Sequence, residues 1–559
     1  MGEIARSGMA LNYNRPPAGS LPVDGAPRII KIRWGRQIAA LGLRAKLKVT
    51  VLPVSKTNSC VLLVMALMAV PWSHARGDEP SRGKPAAYPF TFDTLLAEAK
   101  RRAAAPYAPQ RSTLPAGLDK LSPEQYRSIH FNPDAGIWRD EPVPFRLELL
   151  RAGYNLQSGV TVSTVEEGMA QDLVATPSML EMAPTLPRLG KVSLPLSGFR
   201  LLGQINAKKV WDEFLVFQGA SYYRVVAQHL LYGLSARGLA LNTAEPAGEE
   251  FPAFTHFWIE RPAPRATSIV IYALLESAST TGAYRFAVQP GVETVTDVEL
   301  TLFPRAEMRA VGIAPLTSMF LFDETNRGHL DDYRPEVHDS DGLQITSRTG
   351  EHIFRQLANP IKLQVSSFTA QPPQGFGLVQ RSREQRDFED LENLYERRPS
   401  AWVEPKSEWG AGAVELVEIP SGRESNDNIV AFWRPAQALT PGHPAQFAYR
   451  LTWLAQPSLP KGLGMVVATH SGASLDGKRR VFVLDFIGAG EKTDGLRLDP
   501  GASAGRVSNA ALVSNASMHG LRASFEIDPN GAELIELRLR IMRADQPVSE
   551  TWLYRWTAQ

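Results

Sequence analysis

Thirteen consecutive residues, Asp331 to Leu343, read D-D-Y-R-P-E-V-H-D-S-D-G-L and hold five acids, one Arg, one His and one Tyr. Proton donors, proton acceptors and hydrogen-bond donors at that density are the raw material of acid–base chemistry. If Glu336 to Asp341 is extended, Val337, Asp339 and Asp341 share one face, and Glu336, His338 and Ser340 share the other. A solvated acidic turn is the plain alternative. Two more carboxylate clusters lie at Asp323–Glu324 and at Glu424 to Asp427, within R-E-S-N-D-N-I-V. Cleaving a glycosidic bond takes a carboxylic acid that protonates the leaving oxygen; with inversion, a carboxylate on the opposite side activates water. Asp339 and Asp341 on one strand face would stand about 7 Å apart and approach a sugar from the same side. The acidic stretch therefore reads as half of such a site. Asp427, between Asn426 and Asn428 ahead of an apolar strand, reads on local sequence alone as turn chemistry before it reads as an acid.

Sugar rings offer apolar faces to aromatics and hydroxyls to charged groups. Trp138, Tyr222, Tyr223, Tyr333, Trp402, Trp409 and Trp433 sit beside Arg, Asp, Glu or Gly. Each alone fits a core or packing edge as well as a sugar platform. No H-E-x-x-H zinc motif, phosphate loop, dinucleotide loop or G-x-S-x-G elbow occurs. Placing Gly342 at the invariant glycine of a calcium loop leaves Val337 and Arg348 at ligand positions, so neither metal nor cofactor is expected.

These groups need a scaffold. The chain has 559 residues, 44% hydrophobic and 21% charged, enough apolar material for a large core. A net charge of +2 offers no broad field for nucleic acid and suits a neutral ligand. The one cysteine, Cys60, excludes a disulfide framework. Lys46, Lys48 and Lys56 precede the apolar run Cys60 to Pro71, followed by W-S-H-A. That order predicts a leader and cleaved secretory signal over residues 1–75, with a flexible mature N-terminus over 76–87.

Helices are expected at Thr91 to Ala105 and at Leu121 to Ile129, the latter with Ser122 as N-cap. Gln380 to Pro399 reads as a solvated helix with Phe388, Leu391 and Tyr395 on one face. The rest is short Val-, Leu-, Phe- and Tyr-rich runs broken by turn residues, a mainly β texture. Residues 88–424 are read as one large β domain and 425–559 as a smaller one. Seven strands are expected in the second: 429–433, 445–453, 464–469, 480–486, 521–527, 533–542 and 551–556, an immunoglobulin-like sandwich.

Four segments, Y-R-P-E-V-H-D-S-D-G-L (333–343), G-F-G-L-V-Q-R (375–381), Y-E-R-R-P-S-A-W-V-E-P (395–405) and V-E-L-V-E-I-P…N-D-N-I-V-A-F-W (414–433), resemble the periplasmic glucan biosynthesis proteins OpgG and OpgD (MdoG and MdoD). The resemblance covers about residues 88–559. It implies a galactose-mutarotase-like β-sandwich followed by an Ig-like domain, a long cleft, a periplasmic location and a β-1,2-linked glucan. Some members resemble inverting endo-β-1,2-glucanases. Carried over, Asp427 is the general acid and Asp339 the general base, with Asp341 as fallback. Glu336, His338, Arg334, Tyr333, Trp402 and Trp409 are then candidates for substrate binding or pKa tuning. A non-hydrolytic factor that guides release or branching beside a membrane glucosyltransferase is the alternative. The twin-arginine signature of the OpgD type is absent, and oligomeric state is not legible.

Overall fold

A computed structural model describes residues 85–109, 114–115, 118–154, 156, 159–186, 189–328, 330–368 and 372–558. The expected leader and signal, and all but the end of the expected flexible segment, lie outside these residues. Thr91 caps the helix Phe92–Ala103 through a reciprocal capping box with Thr94, and Leu95 and Ala99 are its buried face. The second helix is shorter than expected, Pro123–Arg127, with Ser122 as its cap.

Among the described residues, two large sheets form the main sandwich. The ten-stranded sheet runs, neighbour to neighbour, from Gln364–Phe368 through Gly412–Glu418, Ile429–Pro435 and Val311–Ser318 to Phe145–Arg151 at its far edge. The sixteen-stranded sheet carries Ala253–Glu260, Ile269–Glu276, Thr280–Gln289, Thr294–Pro304, Ala445–Leu454, Ser400–Pro405, Gly375–Val379 and Gly342–Thr346 in succession. Alternate residues of both sheets meet in one core. Its centre is aromatic: Phe199, Phe217, Tyr223, Phe254, Phe257, Tyr284 and Phe286 pack with ring centroids about 5–6 Å apart. Burying one such ring is worth about 1.5–3 kcal/mol.

The segment expected to open the second module belongs instead to this sandwich. Ile429–Pro435 pairs with Gly412–Glu418 on one side and Val311–Ser318 on the other. Ala445–Leu454 lies between Thr294–Pro304 and Ser400–Pro405. Ser421 to Asn428 is thus a hairpin connection, whose polar turn residues look like a linker in sequence. Among the described residues, the strands of the second sandwich begin at Met465–Ala473 and number eight rather than seven, because Leu496–Ala502, Arg506–Asn515 and the two-residue Gln546–Pro547 were not expected and join it. Pro500 is tolerated because Leu496–Ala502 is an edge strand. Arg506–Asn515 is another surprise, a half-exposed strand rich in Ser, Asn and Ala.

Met465–Ala473, Arg480–Ile487, Gly520–Asp528 and Arg506–Asn515 form one sheet of this second sandwich. The facing sheet is continuous with the large one, through the parallel pair His352–Gln356 and Thr551–Thr557. Phe354 and Val379 enter the second core beside Phe482, Phe525 and Trp552. Gly342, which ends the acidic stretch, lies against this junction. A Cβ there would stand 1.9 Å from the Phe354 ring, so the motif needs glycine for close approach.

Candidate functional site

Asp427 is positioned by its neighbour. Asn428 is buried, and its amide is fully engaged with the backbone: Nδ2 donates to Phe320 O (2.9 Å) and Ile419 O (3.0 Å), and Oδ1 accepts from Phe320 N (2.8 Å). Strand Phe320–Phe322 pairs in turn with Val337–His338, placing Phe320 opposite His338. One residue on, Asp339 N donates to Met319 O (2.8 Å). Two aspartates 88 positions apart, by their numbers in the sequence, are therefore held against the same short strand.

Between Asp331 and Asp341 the acidic stretch forms strand only at Val337–His338. It then bends, and the backbone changes partner: Asp341 N donates to Val379 O (2.9 Å) in the large sheet. The expected shared face of Asp339 and Asp341 does not form. Asp341 Oδ2 accepts the N–H groups of Arg381 (2.6 Å) and Ser382 (3.1 Å). Its side chain lines a polar cavity with Asp323, Glu336, His338 and residues 466–469 of the second sandwich. Burial pushes the Asp341 carboxyl up, against the pull of His338 and Arg381.

Asp339 has other neighbours. Arg398 Nε lies 3.6 Å from its Oδ1, an ionic contact too long for a hydrogen bond, and that buried oxygen accepts none. Asp427 Oδ2 lies 3.8 Å from Arg224 Nη2, while Arg224 Nε donates to Ser235 Oγ (2.7 Å). Burial pushes the Asp427 carboxyl up to about 6; Arg224 and Arg398 draw it down and the charge of Asp339 raises it. The two carboxylates thus sense one another, and each has a guanidinium beside it.

Arg398 comes from a segment expected to be one helix. Only Gln385–Phe388 and a turn at Tyr395–Arg397 are helical. Phe388 and Tyr395 are buried against Met319, Leu321, Phe322 and Val337, but Leu391 is 77% exposed, so the expected common face is broken. The excursion delivers Arg398 to Asp339. Arg383 secures it by donating to the carbonyls of Arg398, Glu396 and Ala455. Burial lowers the Arg383 pKa to about 10.

His338 is fully buried between two acceptors. Gln380 Nε2 donates to the carbonyls of His338 (2.9 Å) and Tyr395 (3.4 Å), which turns its Oε1 toward His338 Nδ1 (2.8 Å). Glu336 Oε2 faces Nε2 at 2.9 Å. Both ring nitrogens must donate, so the ring is an imidazolium. Burial alone would push it down; the bond and charge of Glu336, with Asp341 and Asp323, prevail and hold it at about 9. Because this is above the unfolded value near 6.5, its stabilisation is complete below about pH 6.5 and is lost as pH rises through about 9. Thermal denaturation from pH 7 to 10 should show that loss, and His338→Gln should flatten the slope; an equal slope in the variant would refute the assignment.

The remaining candidates divide. Arg334 is not free for hydroxyls: it donates to Asp332, Asp390 and Glu424. Tyr333 is 79% exposed beside it. Trp402 lies over Gly375 on the face of its strand away from core residues Ala401 and Val403, and nothing described brings it to the two aspartates. Trp409 is 4% exposed, packs against Trp433, Phe447 and Tyr449, and donates its N–H to Ala448 O (3.2 Å). It is a core residue with no face for a sugar, and Trp138, Tyr223 and Trp433 are likewise buried in the core. Sequence reasoning missed Arg224, Arg398 and Asn428. Arg398 lies inside Y-E-R-R-P-S-A-W-V-E-P and Arg224 follows the Tyr pair, but only the fold sets either beside an aspartate. Among the described residues, no cluster of three or more His, Cys, Asp and Glu is arranged to hold a metal.

The family model described as "Periplasmic glucan biosynthesis protein, MdoG" matches residues 90–556. "Glucans biosynthesis protein G" of Shewanella baltica (strain OS195) is 47% identical over 473 residues, 84% of this chain and 87% of the relative. "Glucans biosynthesis protein G 1" of Shewanella oneidensis is 46% identical over 473 residues, with the same coverage. With nearly all of the described chain inside the match, this protein belongs to the MdoG family of periplasmic glucan biosynthesis proteins.

Proposed function

We propose that the protein binds β-1,2-linked glucan and cleaves it internally with inversion at the anomeric carbon. Asp427 gives its proton to the scissile glycosidic oxygen. Asp339, directly or through hydroxyl and water, takes a proton from the water that attacks from the other side. The observation that carries the reading is the pairing itself: two aspartates from distant segments converge on one strand, and Asp427 is held at about 6. A raised pKa is what a general acid needs near neutral pH. The polar setting of Arg224 and Arg398 suits a hydroxyl-rich chain, and the exposed Tyr333 ring offers an outer stacking face.

In this reading the leader and signal of residues 1–75 deliver the chain to the periplasm and are removed. A membrane glucosyltransferase that makes the glucan is the natural partner. The test is incubation with linear β-1,2-glucan. Shorter oligomers should form, with the α-anomer appearing first at new reducing ends by proton NMR. Tight binding with no new reducing ends would overturn hydrolysis in favour of a carrier or branching factor.

A further inference from the structure

We infer that Arg334 is the positioning residue that sets the two carboxylates relative to one another, an inference that rests on the acid–base reading above. Its guanidinium is nearly buried and joins three segments. Nε donates to Asp332 Oδ1 (2.9 Å) and Nη2 to Asp332 Oδ2 (2.7 Å), a bidentate clamp that fixes the plane of the fork. With its plane set, the guanidinium has two arms to spare.

One arm runs to the acid. Arg334 Nη2 meets Glu424 Oε2 at 2.7 Å, three residues before Asp427 in the same turn. Tyr395 Oη donates to that same oxygen (3.3 Å). Asn428 pins the far end of the turn, so Glu424 and Asn428 together fix the arc that carries Asp427. The other arm runs to the base. Nη1 donates to Asp390 Oδ2 (2.8 Å). Asp390 in turn accepts the backbone N–H groups of Glu392 (3.0 Å) and Asn393 (2.8 Å), ordering the turn before Tyr395. Arg398 Nη2 donates to Asn393 O (3.0 Å), and Arg398 Nε faces Asp339. A lysine at position 334 would keep the charge but lose the fork, and with it the ability to serve three carboxylates in fixed directions.

The experiment compares Arg334→Lys, Glu424→Gln and Asp390→Asn with wild type on linear β-1,2-glucan across pH. Arg334→Lys should lose about 10²-fold in kcat with KM little changed, as misplacement of reacting groups does. Glu424→Gln should displace the alkaline limb of the pH profile, set by the acid, and leave the acidic limb alone. Asp390→Asn should displace the acidic limb, set by the base. These two single-arm variants keep the guanidinium and stand as tests if Arg334→Lys does not fold. Unmoved limbs in both, or loss only in proportion to folded protein, would overturn the positioning role. Carboxyl-carbon NMR of Asp427 reads the same arm without turnover. If the wild type releases no reducing ends, the hydrolytic reading fails by itself. Positioning is then decided by whether Glu424→Gln moves the Asp427 titration, and an unmoved titration refutes it.

Discussion

Asp427→Asn should abolish cleavage of β-1,2-glucan while leaving glucan binding nearly intact. Removing a general acid costs about 10²–10⁴-fold in rate. A sugar leaving group is a poor one without its proton, so the loss is expected at the upper end. The alkaline limb expected of wild type near 6 should vanish with the titrating group. A substrate with an aryl leaving group of low pKa needs less protonation and should lose less. The same substitution should also stabilise the fold above pH 6. A carboxyl raised from 3.8 to about 6 is harder to ionise in the native state than in the unfolded chain. The native state therefore carries a cost above pH 6 that shrinks as pH falls through 6 and disappears once both states are protonated, below about 3.8. That difference corresponds to at most about 3 kcal/mol. Chemical denaturation at pH 8 and about pH 3 should show the gain at the first and not the second. Undiminished cleavage by the variant would sink the acid assignment outright.

The mainly β class and the first helix were legible because they depend on local pattern. Phe92, Leu95 and Ala99 recur at helical spacing, and the strands expected at 480–486 and 521–527 are seen at Arg480–Ile487 and Gly520–Asp528. Which sheet a strand enters is a non-local fact. Ile429–Pro435 and Ala445–Leu454 look in sequence like the first strands of a new module, because a polar turn precedes them. Each has one neighbour 100 or more residues away, with Ser318 opposite Ile429 and Thr294 opposite Trp453. Leu496–Ala502 failed for another reason. A proline and a glycine inside a strand argue against it unless it lies at an edge, and edge status is itself tertiary.

The candidate site shows the same division. Residue types identified which acids could act, but alternation was the wrong rule for Glu336 to Asp341. A bend after His338 sends Asp341 to the N–H groups of Arg381 and Ser382 and leaves Asp339 with Arg398. Trp409 misled because it stands beside charged and glycine neighbours, yet the fold turns its ring inward. Arg398 and Arg224 carry no mark in sequence that separates them from surface arginines. Their meaning comes from an excursion that folds back over strand Phe320–Phe322 and from a sheet that sets Ser235 beneath Arg224.

That divergence of Asp339 from Asp341 makes the second large prediction. Asp339→Asn should lower the rate by about 10²–10⁴-fold, the usual contribution of a general base. The loss should fall in kcat, because the group acts on the attacking water rather than on ground-state binding. Asn also removes the negative charge that raises Asp427, so the alkaline limb should move to lower pH in whatever activity remains. Asp341→Asn should behave differently. Its carboxylate spends Oδ2 on two backbone N–H groups, which an amide oxygen can also accept, but the amide no longer offsets the charges of His338 and Arg381. The consequence is structural. Folded protein should lose stability, while folded molecules keep a rate within a few-fold of wild type. Azide added to Asp339→Asn supplies an external nucleophile that needs no deprotonation, and formation of a glycosyl azide of inverted configuration would mark the missing base directly. If Asp341→Asn loses the rate and Asp339→Asn keeps it, the base is the residue facing the second sandwich, and the pairing of Asp339 with Asp427 as base and acid falls.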